Sequence, residues 1–232
     1  MNNIINRFES LLVEDKVEKI SSIIKELGLS YMYEEGIGII VNKQDKPNKV
    51  IFSHYDLIPL FSHAIIDNGA LYKVNNETVE GALDNTITNA ILIEALCDLN
   101  SEDLSGVEIV FTDMEEIGFI GAKNYIRKYI DRIKDSLFIN LDVTNEGYGY
   151  SGAIEYDLWT DDLVEKIKSL DINFHYTKNR VGDDLCAVVY NNLHGFSYCL
   201  PTKNLIHSFK NRCRKESLVP YKEGLKSIIK MK

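Results

Sequence analysis

The sequence predicts an α/β domain of three layers, α/β/α, around a mixed, mostly parallel central sheet. Three observations predict it. Stretches with helical spacing of apolar residues alternate with short apolar runs rich in β-branched and aromatic side chains. Three of those runs, 50–52, 107–111 and 137–141, empty into carboxylate or imidazole residues, and α/β sheets gather ligands beyond the carboxyl ends of their strands. The 232 residues suffice for one sizeable domain and are too few for two comfortable ones, so a single domain over 1–232 is expected.

Taken in order, residues 3–27 carry Ile4, Ile5, Phe8, Leu11, Leu12, Val17, Ile20, Ile23 and Ile24 at helical spacing, with a break near Glu14 and Asp15. Gly28 supplies the stop. Strands over 36–41 and 49–54 read as a hairpin turned by the proline-containing segment 43–48, and the second strand ends at His54. Residues 57–83 are irregular apart from a short strand over 70–74. Asp84 then precedes an apolar helix over 87–99. Strand 107–112 leads into Glu115-Glu116, Gly118 and Gly121 open a helix over 122–133, and strand 137–141 ends at Asp142. Strands over 152–156, 172–176 and 196–200 and helices over 161–170, 184–192 and 215–229 complete the alternation, without internal repeats.

A formal charge of −9 with scattered Lys and Arg argues against a nucleic-acid partner, which needs clustered cations. No stretch reads as a signal peptide or a membrane span. Cys97, Cys186, Cys199 and Cys213 lie far apart without a CxxC pair, as expected of reduced thiols in a cytoplasmic protein.

The chemistry rests on five clusters: His54-x-Asp56, Asp84-Asn85, Glu115-Glu116, Asp142 and His207. Each has a plain explanation when taken alone. A histidine after a strand is commonly a satisfied core or surface residue, Asp84-Asn85 suits a helix cap, and paired glutamates suit a solvated face. Asp142 and His207 suit a turn and a loop. Together they form a donor set of greater specificity. Asp56 can accept from the imidazole of His54 and fix its tautomer. Of two adjacent glutamates, one can bind a metal while the other acts as base. Two histidines, a bridging carboxylate and two terminal carboxylates suffice for two zinc ions with a position left open for water. Nitrogen and oxygen donors also accept cobalt or manganese.

The segments FSHYD, GALDN, IVFTDMEEIGFIGA, INLDVT and LPTKNLIHS resemble, in the same order, the metal-binding blocks of the co-catalytic zinc aminopeptidases, which include leucyl, glutamyl and deblocking aminopeptidases. Glu-Glu-x-Gly-x-x-Gly-Ala is the strongest block, with Gly118, Gly121 and Ala122 at the family positions. The resemblance implies that Asp84 bridges two ions, that His54 and Asp142 complete one site, and that Glu116 and His207 complete the other. It implies that Asp56 orients His54 and that Glu115 is the general base acting on a water shared by the ions. Related enzymes carry an aspartate in a block like GDDLCAVV, which makes Asp183 and Asp184 candidates for contact with a substrate α-amine and, equally, helix caps.

The implied activity is removal of N-terminal residues from peptides. A di-zinc deacylase acting on N-acyl amino acids or small amides is the alternative within the enzyme class, and a non-catalytic metal-binding protein is the alternative outside it. The chain departs from the family at Thr86-Ile87-Thr88-Asn89, where many members have small glycine-containing stretches. Only 27 residues separate Asp56 from Asp84 and 64 separate Asp142 from His207, so no lid or dimerisation domain is expected. That implies a fairly open site, which a neighbouring subunit of a homo-oligomer could close. His63, His175, His194 and Trp159 lack partnered motifs and read as structural or surface residues, and Met114 as core packing beside the glutamates.

Overall fold

Local chemistry accounts for the first elements. The computed structural model describes residues 1–58, 72–156, 161–170, 172–178 and 182–231; His63 and Trp159 lie outside them. Helix α1 (Asn2–Leu11) buries Ile4, Ile5, Phe8 and Leu11. Helix α2 (Lys16–Glu26) starts after Asp15, whose carboxylate accepts the Glu18 N–H at 2.8 Å, so the break falls where Glu14 and Asp15 predict it. Strands β1 (Tyr31–Glu34) and β2 (Gly38–Val41) form an antiparallel hairpin, pairing Tyr31 with Val41.

The hairpin expected between 36–41 and 49–54 is not formed. Strand β3 (Lys49–His54) is separated from β2 by β6 (Val107–Thr112), which pairs antiparallel with β2 and parallel with β3. The physical reason is burial: β2, β3 and β6 bury nearly every residue. Strands covered on both faces belong in a sheet interior, where the parallel neighbour β6 comes from far along the chain.

Strands β4 (Tyr72–Val74) and β5 (Thr78–Gly81) precede helix α3 (Thr86–Leu96), which is buried along its whole length. After β6 come α4 (Ile120–Ile133), β7 (Leu137–Thr144), β8 (Gly152–Tyr156), α5 (Asp161–Lys168) and β9 (Phe174–Thr177). Helix α6 (Leu185–Tyr190), β10 (His194–Lys203), β11 (Arg212–Arg214) and α7 (Lys215–Lys230) end the described chain. The short strands β1, β5 and β11 were not expected from the sequence.

The strand order is β1-β2-β6-β3-β7-β10-β11-β5-β4, with β8 added beside β10 and β9 beside β8. Strands β6, β3, β7 and β10 run parallel in the middle, and antiparallel strands flank them. Side-chain alternation along β3 feeds two cores: Ile51 faces a cluster with residues of α1, α2, α3 and α7, while Val50 and Phe52 face one with residues of α4 and α6. The result is the expected α/β/α layering. Among the described residues no helix is long and apolar enough to cross a membrane.

Candidate metal centre

Three parallel strands deliver the acids and one histidine to the same end of the sheet. His54 is the last residue of β3, Glu115 and Glu116 follow β6, and Asp142 lies near the end of β7. Asp84 stands just ahead of α3, with a cis Asp84–Asn85 peptide, and His207 follows β10. All seven residues named from the sequence therefore meet in one place.

Their spacing is that of a donor set. His54 Nε2 lies 3.1 Å from Asp84 Oδ1, 3.8 Å from Asp142 Oδ1 and 3.9 Å from Glu115 Oε2. His207 Nε2 lies 3.2 Å from both Asp84 Oδ2 and Glu116 Oε2. The two carboxylate oxygens of Asp84 thus face different histidines. In three groups, His54–Asp84–Asp142, Asp84–Glu116–His207 and His54–Glu115–Glu116, one donor atom per residue lies within 4.8 Å of the others. Donors so spaced fit ions held at about 2.0–2.2 Å by nitrogen and oxygen.

Asp56 has a wider part than the sequence suggests. Its Oδ1 is 3.3 Å from His54 Nδ1 and accepts the Glu115 N–H at 3.1 Å, while Oδ2 accepts the Glu116 N–H at 3.2 Å. One carboxylate therefore holds the glutamate turn beside the imidazole. That turn also depends on Gly121, where an added Cβ would stand 2.5 Å from Asp113 O, 2.6 Å from Asp113 N and 2.6 Å from Ile37 O.

The crowding of acids dominates the electrostatics. Burial, with the Asp142, Asp184 and Asp84 carboxylates, pushes Glu115 up to about 10 against the pull of His54. Burial and Asp84 raise Glu116 to about 7. Burial and Asp84 also hold Asp142 well above the usual carboxylate range. For Asp84, burial is outweighed by hydrogen bonds with His207 and His54, which bring it well below that range. Burial would depress His54, but Asp142, Asp56 and Asp84 raise it well above an ordinary imidazole. Such a cluster calls for added positive charge.

Sequence reasoning missed the polar frame behind these groups. Ser53 Oγ donates to Asn89 Oδ1 at 2.7 Å, Asn89 Nδ2 to His54 O at 2.7 Å, and Asn85 Nδ2 to Leu141 O at 2.6 Å. These bonds tie the ends of β3 and β7 to the start of α3. The signal was present as Asn85 and Asn89 four apart at the start of a helix that is largely apolar beyond them. Asp183, a candidate for substrate contact, accepts from the Leu185 N–H at 2.9 Å and from Ser197 Oγ at 2.6 Å, which ties the start of α6 to β10, and it also lines the cleft over the donors. Asp184 accepts from Thr112 Oγ1.

A cleft of about 580 Å³ opens over the donors, with Phe119, Val143, Leu205 and Ile206 on its apolar walls. A second cavity of about 590 Å³ is lined by Lys49, Leu137 and Lys230. It holds none of the clustered donors, so chemistry and not size selects the first.

Fold and donor set together define the class of the co-catalytic zinc exopeptidases. Residues 37–207 match the model of Peptidase family M28, and the chain belongs to that family. No curated protein matches it by sequence. Solved structures match its fold. An aminopeptidase from the archaeon Desulfurococcus kamchatkensis has TM-score 0.76 at 13% identity, covering 100% of this chain and 95% of that one. The TET1 peptidase of Pyrococcus horikoshii has TM-score 0.71 at 17% identity, covering 92% and 94%. Aminopeptidase PepT from Bacillus cereus has TM-score 0.73 at 12% identity, covering 99% and 98%.

Proposed function

We propose that this chain is a metallo-aminopeptidase, one catalytic domain over 1–232, that removes N-terminal residues from peptides with two divalent cations, zinc in the first place. The observation that carries it is the sharing of Asp84 between the His54–Asp84–Asp142 and Asp84–Glu116–His207 groups, a donor set for two neighbouring ions. Bound there, the cations would polarise the scissile carbonyl and acidify a water.

The remaining steps belong to the chain's own residues. Glu115 lies against the donors in a cleft wall, where its carboxylate, ionised once bound cations offset the neighbouring acids that raise it, can take the proton of the attacking water and return it to the departing amine. Asp56 holds Glu115 and Glu116 by their backbone N–H groups, so glutamates and histidine keep one geometry through the cycle. The apolar walls of the cleft shed water around the residue to be cleaved.

Two supporting readings follow from composition and kinship. Widely spaced cysteines without a CxxC pair favour a cytoplasmic setting. The P. horikoshii relative is described as assembling into a tetrahedron or a large octahedral shell, and we extend to this chain a homo-oligomer that covers the open cleft, which light scattering after size exclusion would read directly.

The decisive experiment compares an unblocked dipeptide amide with its N-acetylated form on zinc-loaded protein. Hydrolysis of the free-amine substrate alone is the expected result. Preference for the acetylated form would replace the aminopeptidase with a deacylase, and turnover of neither, with zinc bound, would leave a non-catalytic metal protein.

A further inference from the structure

Phe119 stands against two local rules. It precedes α4 in a left-handed conformation, φ 60° and ψ 36°, which a bulky side chain rarely adopts. It also occupies the cap position of that helix, where a serine, threonine, asparagine or aspartate would bond a free N–H, and its ring makes no such bond. Asparagine would meet both demands of the backbone. The phenyl ring is therefore kept for what it touches.

Core packing accounts for one part of the ring. It leans on the cluster beneath α4, and Lys123, whose Nζ stands 5.4 Å from the ring centroid and donates to Gly118 O at 2.8 Å, helps to fix it. The residue is nevertheless only half-buried, and it lines the cleft over the donors. Of the apolar wall residues, Leu205 and Ile206 lead to His207 and Val143 follows Asp142, so among the described residues Phe119 is the one in the turn that carries Glu115. The tie is direct, because the Gly118 and Phe119 N–H groups both donate to Glu115 O, at 2.9 and 3.0 Å.

Which part of a peptide meets this wall follows from the proton. Glu115 would return its proton to the departing amine, and that amine belongs to the second residue of the peptide. The second residue therefore begins at Glu115, with the Phe119 ring beside it, while the first lies over the donors. We propose that Phe119 is a specificity-determining residue for the second position, selecting peptides whose second side chain is apolar or aromatic. The proposal rests on the aminopeptidase reading above. A ring already fixed by Lys123 and the core loses little freedom on contact, so the apolar area it removes from water is not spent on ordering the wall. Glu115 and Glu116, in the same turn, repel an acidic side chain there.

The test compares kcat/KM on zinc-loaded protein for Leu-Phe-amide, Leu-Gly-amide, Leu-Asp-amide and Ala-Phe-amide, with wild type, F119A, F119N and F119L. Expected in wild type is a preference for Leu-Phe-amide over Leu-Gly-amide of at least about tenfold, the lower end of what a hydrophobic wall discriminates, with Leu-Asp-amide cleaved least. In F119A that ratio should fall to about twofold or less, while the ratio of Leu-Phe-amide to Ala-Phe-amide, which reads the first position, stays at its wild-type value. F119L should keep most of the preference. F119N suits the left-handed cap; it should match F119A and carries the test if F119A does not fold. An equal loss on every substrate would make the ring a packing residue and overturn the proposal, as would a loss confined to the first-position ratio or a wild type indifferent to the second residue. No hydrolysis of any amide by wild type would overturn the aminopeptidase reading itself, and this inference with it.

Discussion

At the scale of single residues, Glu115 separates chemistry from metal binding. It sits among donors yet stands outside both groups that share Asp84, so replacing its carboxylate with an amide removes a base and leaves those two ligand groups whole. E115Q should lower kcat by about 10²–10⁴, the usual contribution of a general base, while zinc uptake by elemental analysis stays at the wild-type level. Retained turnover would remove Glu115 from the mechanism; lost zinc would make it a ligand. The donors were legible because most stand at or just beyond the end of a strand, in an order that a sequence preserves. Ser53 and Asn89 were not read as parts of the site, and Asn85 was named beside Asp84 without a role of its own, because their partners lie far along the chain: Ser53 meets Asn89, and Asn85 meets Leu141.

At the scale of elements, the turn between β6 and α4 carries the most consequence for the site. It places both glutamates, and it packs against backbone at Gly121, where the three atoms nearest an added methyl group all belong to the main chain of Asp113 and Ile37. Main chain cannot swing aside as a side chain does. G121A should therefore destabilise the fold by about 1–3 kcal/mol, the range for overpacking a tight site, as read by urea denaturation. It should also weaken zinc retention through displacement of Glu115 and Glu116; unchanged zinc affinity would show that the turn absorbs the strain elsewhere. The same β6 shows where sequence reading failed. Its position between β2 and β3 follows from parallel pairing with a strand about sixty residues away, while local pattern favours the neighbour in sequence, which pairs only about two-thirds of the time. Strand β1 exposes Tyr31, Met32 and Tyr33 and so lacks the alternation that marks a half-buried strand. Glu108, the second residue of β6, looks like a break in an apolar run. It is a structural acid instead, fully buried and bonded to Arg132 and Tyr125.

At the scale of the whole molecule, the distribution of charge couples the site to stability. The chain carries a net −9, and Asp56, Asp84, Glu115, Glu116, Asp142, Asp183 and Asp184 converge at one end of the sheet, where burial first and neighbouring carboxylates second raise Glu115, Glu116, Asp142 and Asp184 against the pull of His54. Cations bound there relieve that repulsion in the folded state and find no comparable cluster in the unfolded one. Zinc at a hundredfold excess over its dissociation constant stabilises by about 2.7 kcal/mol per site. For a chain of this length each kcal/mol moves the melting temperature by about 2–4 °C, so removing one ion with a chelator should lower it by roughly 5–11 °C in a thermal melt. Adding zinc back discriminates this account from a general effect of the chelator. Most of these acids are buried, where salt screens repulsion little, so restored zinc should recover the melting temperature of the loaded protein and added sodium chloride should not. Full recovery by sodium chloride alone would mean that simple screening relieves the acids, and that the fold does not depend on bound ions to hold the end of its sheet together.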